Sequence, residues 1–480
     1  MRFRWVTLSL SWSAFTACPD RFSGLNRTKA LAPNYAALVP ITFGCKRLTA
    51  ARGLTATQPT KRRTKRGKKD LSDKDLQEIQ SLQFTDLEAA NQLLKDFFKN
   101  NLPFNVKTVN LRPLAVSLNS INGIILTEEG EKLFFKTHVE PQSIISEYYN
   151  SQILADANYP VIQPIFSSTE WGKQLLIYKF FDFPSLFDVA REIETGQKHN
   201  AEQIVAIQQK SDDDLWKIYQ NTLQPLTAKE HSDSPIHQLF YHRLTGGRFD
   251  DFYQNTELGL PGQDINYSDL SQLQWVINGV EFQKSLAELV TLASEHLNPE
   301  RDDTISIVGH GDAHNGNVFV DEPNNDLIYF DPAFAGRHSP FLDLTKPFFH
   351  NVFAIWMYFP KEVAQDLNIT WEIKDNQIIV NHDFVPADVR IEFLRSKFSR
   401  VLKPLLQLLR SQNQLPDNWR QYLKLALFCC PFLTMNLSDR KKFPPEITLL
   451  GLCMSVEMGS TSMNEKQSLL DSELTKIIKH

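Results

Sequence analysis

The sequence predicts an α+β fold, and three observations carry that expectation. Strand-like runs crowd into residues 111–181, helical apolar spacing dominates from Leu186 onward, and inside the helical half a polar loop opens into an apolar hairpin at 307–344. With 480 residues, 42% of them hydrophobic, and 33 phenylalanines, the chain suffices for large packed cores. No apolar run approaches the ~20 residues that cross a bilayer, so no membrane span is expected. The five cysteines, Cys18, Cys45, Cys429, Cys430 and Cys453, are odd in number and lack a CxxC spacing. That argues against a disulfide framework or a zinc knuckle and for reduced, buried thiols.

Charge divides the chain. Of 51 Lys+Arg and 56 Asp+Glu, residues 1–69 hold 15 and one, which leaves 36 and 55, a net charge of −19, for the rest. Residues 1-71 therefore read as a disordered basic leader, either transit-like or read from upstream of the true start. A cytoplasmic location is expected, with organellar import left open by the leader. The acidic body repels phosphate backbones, so no nucleic acid is expected to bind it.

Elements follow in order. Short helices begin at Ser72, including Leu87 to Phe98 with apolar residues at Leu87, Leu93, Leu94, Phe97 and Phe98. Leu111 to Leu118 and Ile124 to Thr127 read as strands flanking the polar turn Asn119-Ser120-Ile121-Asn122-Gly123, and Lys132 to Val139 as a third strand. Ser143 to Ala157 reads as an amphipathic helix carrying Glu147. Val161 to Phe166 and Gln174 to Phe181 read as two more strands. Residues 186 to about 300 read as mostly helical, and Arg243 and Arg248 within them could meet an anion or simply form salt bridges. Later helices are expected at Pro347 to Tyr358, Ala387 to Leu409, Trp419 to Met435 and Ile447 to Met458, with a hairpin turning at Asp375-Asn376. Residues 461-480 read as a polar, loosely held tail.

The block HGDAHNGN, His310 to Asn317, places an aspartate five residues before an asparagine in a glycine-containing loop. Val318 to Val320, the turn Pro323 to Asp326 and the run Leu327 to Phe330 form a hairpin that returns Asp331 to the same end. Phosphoryl transfer wants such a set: one carboxylate for the proton of an attacking hydroxyl, and an amide oxygen with a second carboxylate for magnesium. A transition-metal site built on His310, Asp312 and His314 would leave Asn317 and Asp331 idle. His310 reads as a structural residue of the loop.

His310 to Asn317 with Asp331-Pro332-Ala333 resembles the catalytic loop and metal-binding aspartate of the aminoglycoside phosphotransferase and choline kinase family. The resemblance implies a bilobal, protein-kinase-like fold, with a small antiparallel sheet lobe carrying one helix at 72-181 and a large, mainly helical lobe at 182-460. It implies Asp312 as catalytic base and Asn317 and Asp331 as magnesium ligands. In the small lobe it implies that Lys136 touches the ATP phosphates, with Glu147 as its ion-pair partner. Ser120 and Asn122 would lie on the loop covering the phosphates, and backbone groups of Tyr178 to Phe181, Phe180 among them, would meet adenine. Asp343 is placed like the family's aspartate that braces the catalytic loop.

The expected activity is thus ATP- and magnesium-dependent phosphorylation of a hydroxyl on a small molecule. A protein kinase is the first competitor, but only eleven residues separate Asp331 from Asp343, too few for a long activation segment. A non-catalytic ATP-binding regulator is the second, and the presence of Lys136, Asp312, Asn317 and Asp331 weighs against it. The acidic body, with the aromatic stretch Phe348, Phe349, Phe353, Trp356 and Tyr358, could favour a cationic acceptor, against a neutral or anionic hydroxyl compound and against these aromatics being simple core.

Overall fold

A five-stranded antiparallel sheet forms first, in the order β1-β2-β3-β5-β4: β1 Val106–Leu111, β2 Ser120–Thr127, β3 Lys132–His138, β4 Phe166–Ser168 and β5 Leu175–Lys179. The computed structural model describes residues 73–83, 85–111, 120–138, 150–168, 170, 172–197 and 200–479. The leader 1–71 and Glu147 lie outside the described residues.

Period-2 alternation gives the sheet two different faces. Leu133 and Phe135 of β3 join Ile121, Ile125, Leu175 and Ile177 against the helices Asp73–Leu82 and Leu87–Asn101, whose Leu76, Ile79, Leu94, Phe97 and Phe98 cover that face. Phe134 and Lys136 point the other way, where Leu176, Tyr178 and Ile162 pack with Phe319, Ile328 and Phe330 of the 318–330 hairpin. A lysine in an apolar strand is thereby carried to the seam between sheet and hairpin.

Three expectations in this part are corrected. The first strand is Val106–Leu111, upstream of the expected Leu111 to Leu118, and residues 112–119 lie outside the described residues. Ser120 and Asn122 are strand residues of β2 and not a loop. Gly123 serves close packing, since a Cβ there would sit 2.4 Å from the Asn110 carbonyl oxygen and 2.6 Å from the Phe135 ring. Val161 makes only a single bridge to Tyr329, and the strand expected over Val161 to Phe166 is the shorter, later β4.

The rest is mainly helical around one extensive apolar core. It also contains strands that the reading of 186–300 as mostly helical passed over. Gln274–Ile277 and Val280–Glu281 form a hairpin through Asn278 (φ 51°) and Gly279 (φ 74°), the left-handed pair that a tight hairpin requires. Gln274–Ile277 pairs in parallel with Gln377–His382, whose antiparallel partner Ile369–Lys374 completes a four-stranded sheet. The hairpin at Asp375-Asn376 is observed.

The helix expected over Pro347 to Tyr358 instead begins at Pro340 and ends at His350, followed by Ile355–Tyr358. Pro340 takes the first-turn position that suits proline, and Pro347 sits inside the helix. Phe348, Phe349, Phe353 and Trp356 are buried core residues, which removes them as a platform for a cationic ligand. The segment 461-480 is not a loose tail. Leu470 and Leu474 of the helix Leu469–Lys479 are buried, and Asp471 binds Lys424 at 2.8 Å. Cys429, Cys430 and Cys453 are free, buried thiols. No helix among the described residues is long and apolar enough to cross a membrane.

Candidate active site

The strand Thr304–Gly309 delivers the chain to the loop, and two glycines allow the path it takes. A Cβ at Gly309 would lie 2.5 Å from Asp343 Oδ1, and Gly311 (φ 79°) would place one 2.4 Å from the Phe334 carbonyl oxygen. Gly311 N–H donates to Asp343 Oδ1 at 2.6 Å, His338 Nε2 donates to the same oxygen at 3.0 Å, and Tyr219 donates to Oδ2. Asp343 therefore ties the loop to three elements. Burial pushes its carboxyl up, but these donors outweigh burial and hold it below the ordinary carboxylate range.

His310 is fully buried and structural, its Nε2–H donating to the Phe330 carbonyl at 2.9 Å. Its Nδ1 accepts from Asp312 N–H at 3.4 Å, the pattern of a neutral imidazole, in agreement with burial holding its pKa below the usual histidine value. Asn317 Nδ2 donates to the Asp312 carbonyl at 3.0 Å, and Phe330 N–H donates to the Asn317 carbonyl at 2.9 Å. The hairpin Val318–Asp321/Asp326–Tyr329 then returns the chain, so Asp312, Asn317 and Asp331 share one end of it.

Asp331 adopts φ 57°, a left-handed conformation that aspartate tolerates better than most residues. Its side chain is buried, and Lys136 Nζ lies 3.6 Å from Oδ1. Among the described residues neither carboxylate oxygen of Asp331 has a hydrogen-bond partner. Asn122 stands opposite Lys136 in the β2–β3 register, so it reaches the same seam from a strand. Asn150 Nδ2 donates to the carbonyls of Pro332 and Ala333 at 3.0 and 3.2 Å, which fixes the segment after Asp331. The ring of Tyr178 packs against Phe134 and Phe330, Lys132 Nζ lies 3.5 Å over the Phe180 ring, and residues 180–184 leave the sheet without regular structure.

Around Asp312 the structure adds Lys346 and His350, which sequence reasoning did not single out. Lys346 Nζ lies 3.7 Å from Asp312 Oδ1 and 3.3 Å from His350 Nε2, and His350 Nδ1 is 2.6 Å from the Tyr358 hydroxyl. His314 Nε2 lies 4.0 Å from Asp312 Oδ2. Burial raises the Asp312 pKa, but Lys346, then His314 and Arg243, pull it below the ordinary carboxylate range. Burial holds His314 and His350 low, so both rings are neutral near pH 7. Asp312 Oδ1 is buried without a hydrogen-bond partner among the described residues. Nothing in the pattern DLTKPFFH distinguishes Lys346 from a surface lysine. Its place follows from the helix Pro340–His350 docking beside the loop.

The residues fit a divalent cation. Two acceptor oxygens on a buried carboxylate are left without donors, an amide side chain is held at the same hairpin end, and hard oxygen donors of this kind suit magnesium. Among the described residues no group of three or more His, Cys, Asp and Glu could hold a metal, so the rival site on His310, Asp312 and His314 does not form.

No protein-family model and no curated protein sequence matches the chain. Solved structures similar to it include a macrolide 2'-phosphotransferase type I, at 10% identity and TM-score 0.39 over 77% of this chain and 97% of that one. An amicoumacin kinase in complex with AMP-PNP, Ca2+ and its ligand is similar at 12% identity and TM-score 0.43, over 80% and 95% of the two chains. A putative fructosamine-3-kinase from Thermobifida fusca is similar at 10% identity and TM-score 0.38, over 76% and 98%.

Proposed function

We propose that the protein is an ATP- and magnesium-dependent phosphotransferase that phosphorylates a hydroxyl group of a small molecule. The observation that carries this reading is the meeting, at one seam, of Lys136 with a buried Asp331 whose oxygens lack donors, beside Asp312 and Asn317. Buried carboxylates without partners are costly unless a ligand completes them.

In this reading Lys136 holds the α/β-phosphates, and Asn317 and Asp331 hold the metal. Magnesium, when bound, neutralises charge on the phosphates. The sheet part supplies Lys136 and the helical part supplies the loop, so ATP lies between 72–181 and 182–460. Asn122 flanks the phosphates from β2, and the backbone after Tyr178, through Phe180, meets adenine. Asp312 Oδ1 accepts the hydrogen of the acceptor hydroxyl. As the new O–P bond to the γ-phosphorus forms and the β,γ-bridging O–P bond breaks, the proton passes to Asp312 and ADP leaves. Asp312 is suited to this because it is ionised, close to Lys346 and not consumed by a hydrogen bond at Oδ1.

The test is a titration of Mg·AMP-PNP onto the full chain, together with a pooled metabolite screen using labelled ATP. The parent should bind, and Asp331→Ala should weaken binding roughly 10- to 100-fold. Equal affinity in the variant would remove Asp331 from the metal site.

A further inference from the structure

The helix Pro340–His350 runs beside the catalytic loop and meets it more than once. Near its start, Asp343 Oδ1 accepts from Gly311 N–H at 2.6 Å. One turn on, Lys346 Nζ stands 3.7 Å from Asp312 Oδ1. At its end the capping residue Asn351 turns its side chain to the loop, and Asn351 Oδ1 accepts from Asn315 N–H at 2.7 Å. Residues 343, 346 and 351 recur at i, i+3 and i+8, the spacing of one helix face. Eight residues of helix cover about 12 Å. The two hydrogen bonds therefore hold opposite ends of the arm 311–315, with Asp312 between them.

The metal end of the loop has ties of its own. Asn317 N–H donates to the His314 carbonyl at 2.8 Å, its Nδ2 donates to the Asp312 carbonyl, and its carbonyl accepts from Phe330 N–H. These bonds close Asn317 on the loop and hairpin without Asn351. The arm 311–315 is instead held from outside, by the helix.

Asn351 is itself anchored. It is 4% exposed, and its carbonyl accepts from Arg390 Nη1 at 2.9 Å. Arg390, on the helix Asp388–Lys397, is 1% exposed and donates through Nε to Glu194, the last residue of the helix Leu186–Glu194. That helix begins directly after the segment 180–184, where the Pro184 carbonyl accepts from Val320 N–H at 3.0 Å. It thus joins the hairpin at its start and, through Arg390 and Asn351, the loop at its end.

We propose that Asn351 is a positioning residue of the active site: its side-chain oxygen, anchored through Arg390 and Glu194, fixes the arm that carries Asp312 against the acceptor hydroxyl. This assignment rests on the phosphotransferase reading above. A base acts only within hydrogen-bond reach of the hydroxyl, and a displacement of about 1 Å can cost about 10²-fold in rate. Held at Gly311 alone, a residue with φ 79° and no side chain, the arm keeps a pivot. The second hold at Asn315 removes it.

The experiment has two arms on the full chain. The first needs no turnover: amide hydrogen exchange is followed by mass spectrometry, with and without Mg·AMP-PNP. Asn351→Leu keeps the volume and removes the acceptor, so exchange over 313–317 should quicken about 10-fold or more while the strand Thr304–Gly309 keeps the parent's rate. Asn351→Asp, which keeps an acceptor oxygen, should restore slow exchange, and Arg390→Lys should fall between. Parent-like exchange over 313–317 in Asn351→Leu overturns the hold. If that variant does not fold, Asn351→Ala is read by the same criterion.

The second arm measures label transfer from ATP to the acceptor that the metabolite screen returns. Asn351→Leu should lower kcat about 10- to 100-fold, with KM for ATP and Mg·AMP-PNP affinity within about threefold of the parent. Asn351→Asp should recover most of the loss. Asp471→Asn, which opens the buried Lys424 pair instead, should keep the parent's kcat and so separates positioning from stability. A parent-like kcat in Asn351→Leu, an equal fall in Asn351→Asp, or the same fall in Asp471→Asn overturns the proposal. Quickened exchange in a chain that transfers label to no acceptor keeps the hold on the loop and overturns the phosphotransferase reading.

Discussion

Four buried lysine–aspartate pairs can be compared directly. In the helical part, Lys397 Nζ lies 2.6 Å from Asp212 and Lys424 Nζ lies 2.8 Å from Asp471. At the site the distances are 3.6 Å for Lys136–Asp331 and 3.7 Å for Lys346–Asp312. The tight pairs are also complete. Asp212 accepts from Gln208, Lys397 and Ser396, and Asp471 from Arg420, Lys424 and both the amide and hydroxyl of Ser462. The loose pairs leave three buried oxygens without donors, both on Asp331 and one on Asp312. Where every lone pair is matched the pair serves the fold. Where lone pairs are left open among the described residues, a buried carboxylate calls for a further partner, which the proposed function supplies as metal and substrate.

Removing a carboxylate from each kind should therefore break different things. Asp312→Asn should lower kcat by ~10²–10⁴ while Mg·AMP-PNP binding holds, as steady-state kinetics and titration would show. Turnover at the parent rate would end its role as base. Asp471→Asn should leave Lys424 uncompensated and cost ~3 kcal/mol of stability, read as a lower unfolding midpoint with kinetics intact. An unchanged midpoint would place the Leu469–Lys479 helix outside the cooperative fold.

Protonation gives a finer comparison. Asp471 is held down to about 2, because Lys424, Ser462 and Arg420 outweigh the burial that would raise it. A depressed folded-state value means that its contribution is complete above the ordinary carboxylate range and is lost as pH falls toward about 2. Acid unfolding of the parent should thus be steeper in that window than that of Asp471→Asn. At the site, Lys346→Met should let the Asp312 pKa rise and move the acid limb of kcat/KM to higher pH. A limb that stayed in place would show that Lys346 does not act on the base. A smaller loss of stability than for Asp471→Asn is expected for Asp331→Ala, since its ion pair with Lys136 is longer, 3.6 against 2.8 Å, and among the described residues its carboxylate accepts no hydrogen bond.

The chemistry of one side of the site was legible because it is local. His310 to Asn317 and Asp331 lie within 22 residues, and loop and hairpin signals arrange them without help from the rest of the chain. Lys136 was legible through the family resemblance, as the lysine of the third strand, and the structure places it on the face opposite Leu133 and Phe135. The loop expected at Ser120 to Gly123 was misread because a glycine that relieves contact between strands looks, in sequence, like a glycine that turns. The Asn278-Gly279 hairpin carried a sound local signal that the helical pattern around it obscured. The buried face of the last helix, Leu470 and Leu474, was hidden among polar neighbours.

By itself the sequence determined the α+β character, the hairpin that gathers Asp312, Asn317 and Asp331, and the polar position of Lys136, since short-range backbone preference and side-chain alternation decide all of these. Tertiary structure alone decided that Lys136 meets Asp331, that Asp343 is bonded by Gly311, His338 and Tyr219, and that Lys346 stands 3.7 Å from Asp312. Such contacts depend on how helices dock, which the pattern along one helix does not encode. The charge around a buried carboxylate is for the same reason a property of the packed fold.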